Sequence, residues 1–297
     1  MSSSRSRDAY FTKPDIAVQC IKTLDNLIGT NHTYLEPSAG DGAFVRPLLD
    51  RQVLAVDIFP QADFIQKQDF LLSGLNADVV IGNPPFGKRA KLAVEFLNRA
   101  ASFAKYIAFI LPVQFRKYGT QKLLHPSLSL IHDELLPADS FLFEGKSYSV
   151  RCCFQVWTTL PAYPELRLRA PLPTSHPDFQ MWLYNNVPAA VSVFDNDFDF
   201  AVPRQGYQDY TLRACLDECV LSKQWMLFKA NDPVILQRLL ELDFEALSML
   251  NTSTPGFGKA DVVALYSQLY PNDCPKLSTS LQERAETQAQ APGSEAA

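Results

Sequence analysis

The chain has 297 residues, of which 47% are hydrophobic and 20% charged, with a formal net charge of −5. Such a chain can bury a substantial core in one large or two medium domains. The acidic total excludes a uniformly basic surface and restricts any nucleic-acid contact to a local basic patch; no apolar run reaches the ~18 residues of a membrane-spanning helix.

The opening stretch MSSSRSRDAYFTK (1–13) lacks the apolar segment of a secretory signal, so a cytoplasmic protein is expected. Cys20, Cys152, Cys153, Cys215, Cys219 and Cys274 form no CxxC pair, which fits reduced thiols in that compartment. Cys215 and Cys219 are spaced to share one face of an expected helix. No second ligand pair accompanies them, so no metal is expected.

In chain order, TYLEP (33–37), VLAVDI (53–58), DVVIG (78–82), YIAFILP (106–112) and RCCFQVWTTL (151–160) read as strands. Several are apolar on both faces, as parallel strands covered by helices are. Between the third and fourth lies KRAKLAVEFLNRAASFAK (88–105), where Leu92, Phe96 and Phe103 fall near one helical face with Ala93, Leu97 and Ala100 beside it. This alternation predicts a doubly wound α/β domain over residues 1–160. PAYPELRLRAPLPTSHP (161–177) reads as a proline-rich linker. VFDNDFDFAVP (193–203) alternates Phe and Asp as an edge strand or an acidic loop does, and DPVILQRLLELDFEALSML (232–250) reads as one amphipathic helix. Residues 161–275 form a second, α+β accessory or target-recognition region, and the polar residues 276–297 a disordered tail. Charge divides the same way: 17 Lys/Arg stand against 15 Asp/Glu in residues 1–160, and 8 against 14 in residues 161–275.

Four strand-end features carry chemistry. LEPSAGDGAF (35–44) follows the first strand and is expected to open a helix. Gly40 and Gly42 allow a tight turn close to a ligand, while Glu36 and Asp41 suit a ligand with positive charge. Asp57, at the end of the second strand, can accept from both hydroxyls of a ribose. Asp69 and Phe70, in KQDFLL (67–72), can hold an adenine amine and its face; Asp69 reads equally as a helix N-cap. In DVVIGNPPFG (78–87) two adjacent prolines end the strand and hold Asn83 rigidly. The Asn83 side-chain oxygen and the Pro84 carbonyl can accept both hydrogens of one exocyclic amine. Phe86 can stack on the same planar base, as a flipped base requires.

With these motifs in this order, residues 8–160 resemble the S-adenosylmethionine-dependent amino-methyltransferases with an N-P-P-[YF] motif. They look most like the gamma-type N6-adenine DNA methyltransferases of bacterial restriction-modification systems. The resemblance implies a class I methyltransferase, Rossmann-like doubly wound sheet, S-adenosylmethionine as cofactor and an adenine-specific DNA methyltransferase activity with base flipping. It implies cofactor contacts at Tyr10, Thr12 and Pro14 of YFTKPDIA (10–17), at Glu36, Pro37, Ser38, Gly40 and Gly42, at Asp57 and Ile58, at Asp69 and Phe70, and at Asn83. It implies a catalytic loop of Asn83, Pro84, Pro85 and Phe86, with Phe143 of FEGKSYSVRCCFQVW (143–157) as the second ring on the extruded base. Phe rather than Tyr after Pro85 also occurs in RNA methyltransferases, and N-P-P motifs also serve guanine-N2 and glutamine-amide methylation. RNA methylation in the same pocket is therefore the nearest alternative, and a non-catalytic methyltransferase-like binding subunit a further one. Nucleic acid is the expected partner, DNA before RNA, with a protein partner for the acidic C-terminal region. Lys88, Arg89, Lys91, Arg116, Lys117 and Lys146, with Arg151, follow strand ends and form an expected phosphate track. NTSTPGFGKADVVALY (251–266) can grip a phosphate beside Lys259 or simply cap a helix.

Overall fold

A computed structural model of the chain describes residues 10–161, 165–206, 209–251 and 254–271. Two compact units result, Met1–Arg169 and Ala170–Ala297. The expected tail (276–297) and Cys274 lie outside the described residues.

The first unit runs β1 (Phe11–Thr12), α1 (Pro14–Ile28), β2 (Tyr34–Glu36), β3 (Val53–Asp57), β4 (Gln66–Lys67), β5 (Val79–Gly82), α2 (Lys91–Ala100), β6 (Tyr106–Pro112), α3 (Tyr118–Gln121), β7 (Ser129–Leu135), β8 (Phe141–Phe143), β9 (Lys146–Tyr148) and β10 (Cys152–Thr158). Seven of these strands form one sheet in the order β4-β3-β2-β5-β6-β10-β7. Only β10 runs against its neighbours; the β2–β3, β2–β5, β3–β4 and β5–β6 pairs are parallel. The chain leaves β2 in one direction and returns at β5 to build in the other, so β2 and β5 flank the crevice where ligands bind in such sheets. This is a Rossmann-like, doubly wound α/β sheet.

Both sheet faces are covered. Leu35, Val80, Ile107, Phe109 and Trp157 pack toward Ala93, Phe96, Leu97 and Ala100 of α2. Tyr34, Ile81, Ala108, Ile110 and Phe154 pack toward Ile16, Ala17, Cys20 and Leu24 of α1. Two-faced burial explains why these strands are apolar throughout. Pro14 starts α1 with φ already set, and Gly29 at φ 79° ends it, donating to the Asp25 carbonyl at 2.8 Å. Neither α1 nor β7 is among the expected elements, although Ile16, Ala17, Cys20, Ile21 and Leu24 of α1 repeat at helical spacing. Strand β7 carries His132, Asp133 and Glu134 in mid-run. It is held by a buried polar chain: Asp133 accepts from Arg116 Nε at 2.8 Å and from Gln155 Nε2 at 3.0 Å, and Gln155 Oε1 accepts from Trp157 Nε1 at 3.2 Å.

The glycine turn opens no α-helix. Turns lead to a short 3-10 segment, Arg46–Leu48, because Pro47 would clash with the carbonyl four residues back in an α-helix begun at the turn. The expected helix over 88–105 starts only at Lys91, after a 3-10 turn. The expected linker folds into the first unit at its start. Leu166, Arg167 and Leu168 are buried, and the Arg167 guanidinium donates to the carbonyls of Gln121, Leu124, His125 and Leu128.

The second unit is an antiparallel sheet of β11 (Phe179–Asn185), β12 (Phe200–Gln205) and β13 (Gln224–Ala230) in the order β11-β13-β12. Helices α4 (Pro233–Leu240), α5 (Phe244–Ser248) and α6 (Lys259–Leu269) share a core with it around Phe200, Phe228, Leu239, Phe244 and Tyr266. The single helix expected over 232–250 is broken, because Asp243 accepts from Ala246 N at 2.8 Å and caps a new start. The Phe/Asp alternation becomes strand only from Phe200; Pro188–Asp195 is a 3-10 segment. Cys215 and Cys219 flank a three-residue 3-10 turn rather than share a helix face.

Candidate active site

The carboxyl ends of β2, β3 and β5 bring Glu36, Asp57 and Asn83 to one rim of the sheet. Glu36 ends β2 and is buried, its Oε1 accepting from Ser38 N at 3.4 Å. No cationic side chain among the described residues pairs with it. Burial pushes its carboxyl well above the usual range, and the negative Asp57 and Asp41 add to the effect. The carboxylate lies against Gly82, where a Cβ would stand 1.9 Å from Glu36 Oε1. A glycine at the end of β5 is therefore a condition for the acid at the end of β2.

The glycine turn is tied to its surroundings by short bonds. Gly40 N donates to Asp57 Oδ2 at 2.8 Å, and Asp57 Oδ1 accepts from Phe59 N at 2.7 Å. Ser38 Oγ donates to the Asn83 carbonyl at 3.2 Å, which joins this turn to the loop after β5. Gly42 has φ 88°, and a Cβ there would meet the Phe64 ring at 2.8 Å.

Asn83 is held by its nitrogen. Its Nδ2 donates to the Tyr10 carbonyl at 3.4 Å, which leaves Oδ1 buried without a hydrogen-bond partner among the described residues. No group among the described residues donates to the Pro84 carbonyl. A cavity opens here, lined by Tyr10, Asn83, Pro84, Pro85, Phe86 and Phe141, with Gly87 and Val150. Beyond the two prolines the chain is strained: Gly87, Arg89 and Ala90 all have positive φ, of 65°, 54° and 56°.

A second, three-stranded sheet, β1-β8-β9, closes the cavity. Phe11 pairs with Leu142 and Thr12 with Phe141, which brings the N-terminal motif beside the Phe143 segment. Strands β8 and β9 meet through Glu144 and Gly145, both at positive φ, as a two-residue hairpin turn requires. Tyr10 lies 5.5 Å from Phe143 and stacks on Tyr148 at 4.7 Å and 16°. Thr12 Oγ1 is buried without a partner among the described residues.

Not every expected residue reaches this site. Phe70 is fully buried against Phe96 and Phe103, so its ring has no face open to a ligand. Asp69 accepts from Leu71 N at 2.9 Å as the cap of a 3-10 turn, its alternative role. Pro14 is the exposed first residue of α1, Pro37 is buried, and Ile58 is exposed. In the expected track Lys88, Arg89, Lys91 and Lys146 are exposed, and Lys117 and Arg151 half-buried. Arg116 is committed to the buried Asp133 and does not face solvent as a phosphate ligand must. Lys259 donates to the Met181 carbonyl, and Gly258 N donates to Asp261 Oδ2 at 2.8 Å, which is the capping arrangement. Three rings outside the expected set lie at or beside the site: Phe141, which lines the cavity, Phe64 and Tyr148. The signal for Tyr148 was the aromatic alternation of Phe141, Phe143 and Tyr148 across a Glu-Gly turn.

No protein-family model matches the chain, and no curated protein matches it. Among solved structures it is similar to a provisionally assigned RNA methyltransferase from Pyrococcus horikoshii, with 15% identity over 50% of this chain and 85% of that one, TM-score 0.43. It is also similar to the methyltransferase subunit of a type I restriction-modification system from Streptococcus thermophilus, with 16% identity over 50% and 44%, TM-score 0.40. A third is magnesium protoporphyrin IX methyltransferase from Synechocystis, solved with bound S-adenosylmethionine, with 12% identity over 49% and 78%, TM-score 0.37.

Proposed function

We propose that the chain transfers a methyl group from S-adenosylmethionine to the exocyclic N6 amine of adenine in DNA, with the base turned out of the helix. The observation that carries this reading is Asn83, whose Oδ1 is buried and unpartnered beside the unused Pro84 carbonyl. Two acceptors on one amine draw its lone pair out of ring conjugation and leave it directed at an electrophile. Phe86 lines the cavity and would stack on one face of the base, in the manner of pockets for extruded bases; Phe143, the expected second ring, lies outside the lining, against Tyr10. When bound, S-adenosylmethionine would supply an electrophilic methyl group; the C–S bond would break as the N–C bond forms, leaving a neutral thioether without metal assistance, and the proton displaced from the amine would pass to water.

The residues at the β2 and β3 ends suit that cofactor. Glu36, buried without a cationic partner among the described residues, fits a cationic ligand, and Thr12 Oγ1 is buried without a hydrogen-bond partner among them. Glu36, Ser38 and Thr12 would hold the methionine end, Asp57 the ribose hydroxyls, Asp69 Oδ2 the adenine amine and Ile58 its face. Exposed Lys88, Arg89, Lys91 and Lys146 suit phosphate contacts that set orientation without reading sequence.

A second reading, methylation of adenine N6 or guanine N2 in RNA, is favoured by the excess of acidic over basic residues in 161–275, which suits a protein partner better than a DNA groove. Sequencing nucleic acid from cells expressing the wild type or Asn83→Ala distinguishes them. New N6-methyladenine in DNA that disappears with Asn83→Ala supports the first reading. Methylation confined to RNA supports the second. Folded protein without methylation of either, and without S-adenosylmethionine binding by calorimetry, would leave a non-catalytic binding subunit.

A further inference from the structure

We infer that the outer face of Tyr148 is a stacking platform for the nucleobase next to the methylated adenine in the DNA strand, an inference that rests on the reading of the cavity at Asn83 as the pocket of a turned-out base. The small sheet β1-β8-β9 sorts its side chains onto two faces. Thr12, Phe141 and Tyr148 are cross-strand partners in one row, and Phe143 pairs with Lys146 in the next. Partners in a row share a face, as do residues two apart along a strand. Phe141, Phe143, Lys146 and Tyr148 therefore lie on one face of this sheet. It is the face turned to the cavity, because Phe141 lines it.

Three rings meet there. Tyr148 lies flat on Tyr10, with centroids 4.7 Å apart and planes 16° apart, and Phe143 is tilted against both, at 5.5 Å from Tyr10 and 5.8 Å from Tyr148. Tyr10 lines the cavity, whereas Tyr148 and Phe143 do not. The stacked pair thus begins at the cavity wall and leads out of it, so a strand that leaves the cavity past Tyr10 meets Tyr148 next. Tyr148 is 41% exposed although Tyr10 covers one of its faces. Strand β9 is the outer strand of its sheet, so no further strand lies over the ring. Two neighbouring rings brace it, which leaves little side-chain freedom to be lost when a base stacks on the open side.

Lys146 identifies the occupant. It stands two residues from Tyr148 on the same face, is exposed, and engages no partner among the described residues. An open ring with a cation beside it is the combination that holds an unpaired nucleotide: the ring takes the base and the cation its phosphate. Turning the target base out deprives its neighbour of one stacking partner. Tyr148 replaces that partner and so lowers the cost of extrusion. The platform adds affinity without reading sequence, because every base has a stacking face.

The test uses the full chain and short single-stranded oligodeoxynucleotides that carry one adenine, with the fluorescent base 2-aminopurine on one side of it or the other. Binding should quench one of the two probes with the wild type and with Tyr148→Phe, which keeps the ring, but not with Tyr148→Ala. Tyr148→Ala should also bind about tenfold more weakly, the order of one base–aromatic stack. A second arm changes the DNA instead of the protein. An abasic site at the quenched position should weaken wild-type binding by a similar factor and cost Tyr148→Ala nothing further. Equal quenching by wild type and Tyr148→Ala, no quenching of either probe, or an equal abasic penalty in both proteins overturns the inference. Quenching by the same sequence in RNA but not in DNA overturns the assignment to DNA. Methyl transfer to DNA with any of the overturning results leaves the functional reading standing without the platform. Quenching that depends on Tyr148, without methyl transfer to DNA or RNA, leaves the platform standing and removes the functional reading.

Discussion

Replacing Gly82 by alanine tests whether the ends of β2 and β5 are built against each other. Gly82 has φ 151°, which side-chain-bearing residues rarely adopt, and an added Cβ falls 1.9 Å from Glu36 Oε1 and 2.4 Å from its Cδ. Glu36 is 2% exposed, so its carboxylate has no open space to enter. Backbone strain of this kind costs about 1–3 kcal/mol, and overpacking about 1–3 kcal/mol more. Gly82→Ala should therefore lose roughly 2–6 kcal/mol. Glu36→Ala removes the clash and leaves the strain. The double variant should thus be more stable than the two single losses predict, by about 1–3 kcal/mol. Urea unfolding of the four proteins reads this coupling, with an unchanged slope showing that only stability moved. A Gly82→Ala penalty of equal size in both backgrounds would refute the steric account and leave backbone strain as the whole effect.

The raised carboxyl of Glu36 gives a pH dependence of defined sign. The folded chain keeps this proton after the unfolded chain has released it, so the stabilisation is complete below about pH 4 and is lost as pH rises toward the folded pKa. Glu36→Gln should flatten that part of the stability curve. A cationic ligand favours the ionised form, so at a pH below the folded pKa S-adenosylmethionine binding should release a proton, read as a buffer-dependent calorimetric heat; buffer-independent heats at every pH contradict this. Asp133→Ala strands the Arg116 guanidinium and should cost about 3–5 kcal/mol in chemical unfolding. Joint replacement of Lys88, Arg89 and Lys91 by alanine should reduce the salt slope of nucleic-acid binding by about 2–3 with cofactor affinity kept. An unchanged slope would make them an ordinary solvated surface.

The parallel strands were legible because burial on both faces leaves little but apolar residues between polar ends, as in Val79–Gly82 and Tyr106–Pro112. Strand ends locate a chain but not the direction of each ring. Phe70 follows a strand-end acid as anticipated, yet it turns into the core against Phe96. Strand β7 escaped notice because its Asp133 is neutralised by Arg116, a partner 17 residues away that no local pattern reveals. The role of Arg116 is illegible for the same reason, since a cation near a strand end looks the same in sequence whether it faces solvent or a buried acid. Asn83 could be singled out from its two prolines, but the group holding its amide, the Tyr10 carbonyl 73 residues earlier, required the fold. The β1–β8 pairing that delivers Tyr10 is non-local, so spacing alone does not reveal it.

The central claim is that Asn83 presents its side-chain oxygen to a planar amine. The most direct measurement is transfer of labelled methyl from S-adenosylmethionine to duplex DNA by the wild type and Asn83→Ala, with the product base identified after digestion. The account predicts label on adenine N6 with the wild type. With Asn83→Ala it predicts a fall in kcat of about 10²-fold or more. Near-wild-type transfer by Asn83→Ala, or label on any atom other than an exocyclic amine, would contradict it.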